Sequence, residues 1–195
     1  MRVMLPRLKQ ALSQQQKAHA TDDSQIPAAV IIAIYYKEEE HHILFTKRTE
    51  RVKEHKGEIS FPGGAYEEPD GTLLNTALRE CTEEIGLAPE AVELLGELDD
   101  SPTISSNYII SPFVAAIPWP YPFKLDPIET EEIIEAPISA LLDENCRHEE
   151  TRVLGGQLVT TYFYHYQGEI IWGATARMLK ELLEIISQVM ESTEE

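Results

Sequence analysis

Gly63-Gly64-Ala65-Tyr66-Glu67-Glu68-Pro69-Asp70, followed by residues 72–87 ending Arg79-Glu80-Cys81-Thr82-Glu83-Glu84-Ile85-Gly86-Leu87, is the stretch from which the rest of the chain is read. Leu74, Ala77, Leu78, Cys81 and Ile85 recur at steps of three and four, which predicts a helix with these side chains on one side, facing a core. Glu80, Glu83 and Glu84 stand at i, i+3 and i+4, so the same helix gathers three carboxylates on the opposite side. Like charges at that spacing repel by roughly 0.2–0.5 kcal/mol per pair. Glu83 and Glu84 also occupy the last turn before a Gly86 cap, where the helix dipole disfavours anions. On the helix alone, such a cluster is either a solvated acidic face or the site of a hard cation with oxygen ligands, which would reverse both penalties. The preceding loop favours the cation. Pro62-Gly63-Gly64 lets backbone groups approach a ligand closely, and Pro69-Asp70-Gly71 with Thr72 supplies a turn and a helix start.

With those residues in view, 64–87 resembles the Nudix box: a glycine, a spaced acid, then Arg-Glu-x-x-Glu-Glu-x-Gly. The arginine and three glutamates match as Arg79, Glu80, Glu83 and Glu84. Asp70 stands one residue later than the first acid of the usual spacing, and Cys81 replaces the usual aliphatic residue after Arg-Glu. The insertion, with Asp in place of Glu, is similar to the coenzyme A pyrophosphatase branch of that family.

Composition bounds the alternatives. A chain of 195 residues, 43% apolar and 26% charged, is expected to form a single globular domain, residues 26–195, preceded by a helix and polar connector over 1–25. A net charge of −18 argues against duplex nucleic acid and against anionic membrane surfaces as partners. The longest apolar run, 26–36, is about half of the roughly 20 residues needed to cross a bilayer. Neither the first residues nor the last carry a recognisable targeting signal, so the expectation is a soluble cytoplasmic protein. Cys81 and Cys146 make neither a disulfide framework nor a metal pair and are expected to be buried. Cys81 is a poor nucleophile, because neighbouring glutamates raise its thiol pKa.

Along the chain, Leu5, Leu8, Ala11 and Leu12 predict a short amphipathic helix, and 28–36 a buried strand with a hairpin partner at 43–46. Lys47, Arg48, Arg51, Lys53 and Lys56 then place five of the 16 lysines and arginines within ten residues, beside His55. The cluster is either a solvated basic loop offset by Glu50 and Glu54 or a clamp for a polyanionic substrate. Its flanks, Leu44-Phe45-Thr46-Lys47-Arg48 and His55-Lys56-Gly57-Glu58-Ile59-Ser60-Phe61-Pro62-Gly63-Gly64, resemble a second signature of the coenzyme A branch. Further strands are expected at 57–61, at 92–98 and at 104–117, the last interrupted by Pro112. Thr103, Ser105, Asn107 and Tyr108 either line a pocket or serve turns. The aromatics of Trp119-Pro120-Tyr121-Pro122 either stack on a base or cap the core. Glu129, Glu131, Glu132 and Glu135 are read as an acidic loop, one member of which could reach the metal site. A short helix at 137–142, a hairpin about Gln167-Gly168 and a long final helix from Gly173 complete the chain. Ile171-Trp172-Gly173-Ala174-Thr175-Ala176 is similar to the closing segment of the coenzyme A branch.

The resemblance implies an α/β/α sandwich, a mixed β-sheet between helices, and short mixed strands between helices suggest the same layering. Function must still be argued from the site, because one fold hosts several activities. Clustered carboxylates, an oxygen-liking metal and nearby cations suit attack of water on a phosphoanhydride. Glu80, Glu83 and Glu84 with the Gly64 carbonyl are the expected ligands of Mg²⁺ or Mn²⁺. Arg79 is expected to pair with Glu83 or Asp70 and hold those ligands in place. Glu83 or an acid of 129–135 would take the water's proton. Lys47, Arg48, Arg51, His55, Gly63 and Gly64 are the expected substrate contacts. The expected activity is metal-dependent cleavage of coenzyme A or its derivatives to 4′-phosphopantetheine and adenosine 3′,5′-bisphosphate, with a second copy of the chain, in a homodimer, as the candidate protein partner. The rivals are hydrolysis of another nucleoside diphosphate derivative (ADP-ribose, a dinucleotide, capped RNA) and a binding domain that keeps the fold without catalysis. A structural calcium domain lacks the expected Asp-rich spacing.

Overall fold

Residues 26–37 show how the layers are built, because this strand is buried on both faces for most of its length. Ala29, Ile31, Ala33 and Tyr35 enter one apolar cluster and Val30, Ile32 and Ile34 another, as the two-residue period of a strand between two layers requires. The computed structural model describes residues 4–20, 22, 24–51, 55–103, 106–154 and 157–192. In order they form α1 (Met4–Gln14), β1 (Ile26–Lys37), β2 (Glu40–Arg48), β3 (Ile59–Ser60), β4 (Gly63–Ala65), α2 (Leu73–Ile85), β5 (Glu93–Glu97), β6 (Ser101–Pro102), β7 (Tyr108–Ala116), β8 (Thr130–Pro137), α3 (Ile138–Leu142), β9 (Arg147–Leu154), β10 (Gln157–Tyr166), β11 (Glu169–Trp172) and α4 (Gly173–Glu191).

The main sheet has the order β3-β2-β1-β7-β5, with β4 on β1, β6 on β7 and β8 on β2. β1 and β7 run parallel and the other pairs antiparallel, so the sheet is mixed. α2 covers one face through Ala77, Cys81 and Ile85. α1 and α4 cover the other, through Leu8, Leu12, Leu179, Leu182 and Ile186. The expected α/β/α sandwich is therefore observed. A second antiparallel sheet, β11-β10-β9, extends the α4 side and includes a strand, β9, that the sequence did not suggest.

The C-terminal half of β1 pairs with β2 at Ile34–Lys37, whereas on the same edge Ala28, Ala29 and Val30 pair with Ala65, Gly64 and Gly63 of β4. The glycine loop is thus held in the sheet itself, by pairing with β1.

Two expectations are corrected. β7 runs unbroken through Pro112, because β5 ends opposite Phe113 and β6 begins opposite Ile110, so no ladder partner needs the missing N–H. Residues 130–137 are a strand and not an acidic loop: Ile134 and Ala136 face the core while Glu131 and Glu132 point outward. The aromatics after β7 cap the core, with Trp119 stacked on Tyr35 at 4.8 Å between centroids. Cys81 and Cys146 are buried thiols. No helix among the described residues is long and apolar enough to cross a membrane.

Candidate functional site

The N-terminus of α2 is capped by Thr72, whose hydroxyl accepts the Asn75 N–H at 3.2 Å. Its C-terminus ends on Gly86 in the left-handed region, with φ 68°. These stops fix which turn carries Arg79, Glu80, Glu83 and Glu84, and so which of them meets the glycine loop. Gly64 packs so closely that a Cβ there would lie 2.4 Å from Glu80 Oε1. At Gly63, φ is 153° and a Cβ would lie 2.2 Å from the Ala29 carbonyl oxygen. Only glycine lets both backbones close at this point. Glu84 turns inward and accepts the Gly63 N–H at 3.3 Å.

Arg79 ties loop to helix. Its Nε and Nη2 donate to the two oxygens of Asp70 at 2.9 and 3.2 Å, Nη2 also to the Ala65 carbonyl at 3.2 Å, and Nη1 to Glu80 at 2.9 Å and Glu83 at 3.0 Å. Asp70 further accepts the Thr76 hydroxyl and the Glu67 N–H. The Arg79 guanidinium accordingly holds the Asp70 carboxyl well below the usual carboxylate range. Both partners foreseen for Arg79 are occupied at once, through the planar fork that lysine lacks.

Glu84 is only 4% exposed, although it was expected on a shared outer face with Glu80 and Glu83. Burial pushes its pKa up to about 8, against the opposing pull of Arg48. Glu80 is also raised by burial, with Arg79 opposing. Glu83 remains 60% exposed. The three carboxylates therefore separate into a buried one, a half-buried one and an outer one.

Arg48, His55, Gly63, Gly64, Glu80 and Glu84 line one cavity of about 620 Å³. Arg79 stands behind it and Glu83 outside it. Lys47 is drawn away into ion pairs with Glu169 at 2.7 Å and Glu132 at 3.4 Å. Arg51 and Lys56 are exposed and do not line the cavity, and Lys53 lies outside the described residues, as does Ser105. The basic cluster is thus divided, with Arg48 and His55 at the cavity and the rest elsewhere. Thr103 and Tyr108 line the cavity; Asn107 instead donates to the Ser24 carbonyl. Glu129, Thr160, Thr161 and Arg177 also line it and were not singled out individually from the sequence. Glu129 had only its place in an acidic stretch as a signal, and the others had none.

A divalent cation fits the donor chemistry here. Glu84 is a buried carboxylate with an incomplete counterion, the Arg48 Nε is buried without a hydrogen-bond partner, and the glycine cradle excludes any Cβ beside Glu80. Among the described residues no three acidic, imidazole or thiol groups converge on a single ligand point. Arg79 accounts for this, since it holds Glu80 and Glu83 on its own donors.

The NUDIX domain family model matches residues 25–153. Over 143 residues the chain is 34% identical to "Uncharacterized Nudix hydrolase NudL" of Photorhabdus laumondii, covering 73% of this chain and 75% of that protein. The protein of that name from Escherichia coli O1:K1 is 30% identical over 140 residues, covering 72% of each. Among solved structures, a MutT/nudix family protein from Enterococcus faecalis superposes with a TM-score of 0.57 at 14% identity, covering 92% of this chain and 66% of that one. The NUDIX domain of Shewanella oneidensis NrtR, solved with ADP ribose, superposes with a TM-score of 0.51 at 17% identity, covering 62% and 78%. The capped helix, the glycine loop and the family match together make this chain a member of the Nudix hydrolase family, an enzyme that hydrolyses pyrophosphate bonds.

Proposed function

We propose that the chain is a Mg²⁺- or Mn²⁺-dependent pyrophosphohydrolase of coenzyme A and its derivatives, releasing 4′-phosphopantetheine and adenosine 3′,5′-bisphosphate. The observation that supports it is one of convergence. Arg48, His55 and Ile59 from the second signature, Glu80 and Glu84 from the box, and Trp172 to Thr175 from the closing segment all border the same cavity, although they are far apart in sequence. Its volume is within the range of about 300–1,000 Å³ usual for small-molecule and cofactor sites.

In this reading Glu80, Glu83, Glu84 and the Gly64 carbonyl hold the metal. When bound, the ion supplies charge neutralisation on the diphosphate and an acidified water. Arg48 faces the diphosphate and offsets its charge. Arg79 acts as a positioning residue, keeping Glu80 and Glu83 in register with the loop. Water adds to one phosphorus, the bridging P–O bond breaks, and the bridging oxygen leaves with the other phosphate. A carboxylate takes the water's proton, and Glu129, which lines the cavity, suits this role better than the outward Glu83.

The test is turnover of coenzyme A, dephospho-coenzyme A, ADP-ribose and a diadenosine polyphosphate, with Mg²⁺ or Mn²⁺ and with chelator. A metal-dependent preference for coenzyme A is expected. Preference for another diphosphate would keep the metal site and overturn the substrate. The absence of turnover on all four would overturn the proposed activity.

A further inference from the structure

The part of the cavity lining that comes from α4 and β10 takes no part in the proposed cleavage. Three described basic side chains line the cavity, and two have carboxylates beside them: Arg48 has Glu84, and His55 has Glu58. Arg177 has none among the described residues. Its Nη2 donates to the Ser101 hydroxyl at 3.2 Å and to the Pro102 carbonyl, two neutral acceptors. Those contacts aim the guanidinium without neutralising it, and its remaining nitrogens make no hydrogen bond among the described residues. Burial pulls its pKa below the usual arginine value, with no compensating anion. An uncompensated, half-buried arginine is costly, and it is conspicuous in a chain with 34 acidic residues against 16 basic ones. Thr161 of β10 and Thr175 of α4 line the same cavity, and their hydroxyls make no hydrogen bond among the described residues. Open guanidinium donors and free hydroxyls lining one cavity suit a tetrahedral oxyanion.

We infer that Arg177, with Thr161 and Thr175, forms a second anion subsite that takes a phosphate monoester of the substrate, distinct from the diphosphate that is cleaved. The inference rests on the proposed function for the identity of that group, the 3′-phosphate of the adenosine moiety. Arg177 is then the residue that selects a 3′-phosphorylated nucleotide over its dephosphorylated counterpart.

Calorimetric binding of adenosine 3′,5′-bisphosphate and of AMP, in chelator, tests the subsite without turnover. The wild-type protein is expected to prefer the bisphosphate by about tenfold or more, the contribution of a charge-assisted hydrogen bond to one phosphate. Arg177→Gln brings the ratio of the two affinities close to one, and Arg177→Lys, which keeps the charge but not the fork, leaves an intermediate ratio. If Arg177→Gln does not fold, Arg177→Lys and Thr161→Val carry the test, and each must lower the ratio. A wild-type protein indifferent to the 3′-phosphate, or variants that weaken both ligands equally, would overturn the subsite even if coenzyme A is cleaved. An Arg177-dependent preference in a protein that does not cleave coenzyme A would uphold the subsite and overturn only the proposed substrate.

Discussion

Arg48 Nη1 stops 3.6 Å from Glu84 Oε1, a distance that counts as an ion pair but is too long for a hydrogen bond. The Glu84 charge is therefore buried with only partial compensation, while Arg48, 27% exposed, keeps access to solvent. Removing that charge should relieve the fold at a pH where Glu84 is ionised. Glu84→Gln is expected to raise the thermal midpoint of the metal-free protein at pH 9 by a few degrees, corresponding to about 1–2 kcal/mol in a chain of this size. A lowered midpoint would mean that the Arg48 pair outweighs the burial cost.

The same burial sets a pH dependence. The unfolded Glu84 carboxyl loses its proton near 4.5, whereas the folded one keeps it until about 8. Between those values unfolding releases a proton, so the stability of the metal-free protein falls as pH rises through the window and levels off above it. Glu80, also raised by burial, acts in the same direction. A divalent cation must displace that proton, so Mg²⁺ affinity rises over the same range. Thermal midpoints from pH 5 to 8.5, in chelator and in Mg²⁺, should diverge as pH increases. Parallel curves would contradict the assignment of Glu84 as both buried acid and ligand.

Arg79 makes five hydrogen bonds to four residues in two segments, and lysine can reproduce only part of that fork. Arg79→Lys is expected to lower turnover about 10–100-fold, as loss of a residue that orients metal ligands does. Its effect should fall on kcat and on the metal requirement, with circular dichroism unchanged. An effect confined to stability would reduce Arg79 to a structural tie.

The two glycines should separate stability from activity. At Gly63 an added Cβ meets backbone, the Ala29 carbonyl at 2.2 Å, and cannot be relieved without opening the β1–β4 pairing. Gly63→Ala is expected to destabilise by about 3 kcal/mol or more, a size reserved for backbone strain and core disruption. At Gly64 the Cβ meets the Glu80 carboxylate, the far end of a flexible side chain. Gly64→Ala should cost little stability in urea titrations yet displace Glu80 and raise the Mg²⁺ concentration needed for half-maximal rate. Equal stability losses at both positions would contradict this division.

What could be read from the sequence was local. The spacing of Ala77, Cys81 and Ile85, the Thr72 and Gly86 caps and the Gly63-Gly64 pair are all contained within one stretch, so helix, loop and acidic cluster followed from it. The unequal burial of the three glutamates did not, because it depends on where the loop crosses the helix. The basic cluster looked uniform because the partners that draw Lys47 away, Glu132 and Glu169, are more than 80 residues distant. Residues 130–137 read as a loop because acids interrupt their apolar residues, and β2 supplies the pairing that makes them a strand. Arg177 gave no signal in an amphipathic helix whose apolar stripe accounts for the pattern, and only the closure of α4 over β6 brings it to the cavity.

The most direct measurement is the initial rate on coenzyme A as Mg²⁺ is added back to chelated protein, for the wild type and for Glu84→Gln. The wild type should show a saturable, Mg²⁺-dependent rate and a folded Glu84→Gln protein a rate lower by about 10²-fold or more at saturating Mg²⁺. A Glu84→Gln enzyme with wild-type turnover at saturating Mg²⁺ would overturn Glu84 as a metal ligand.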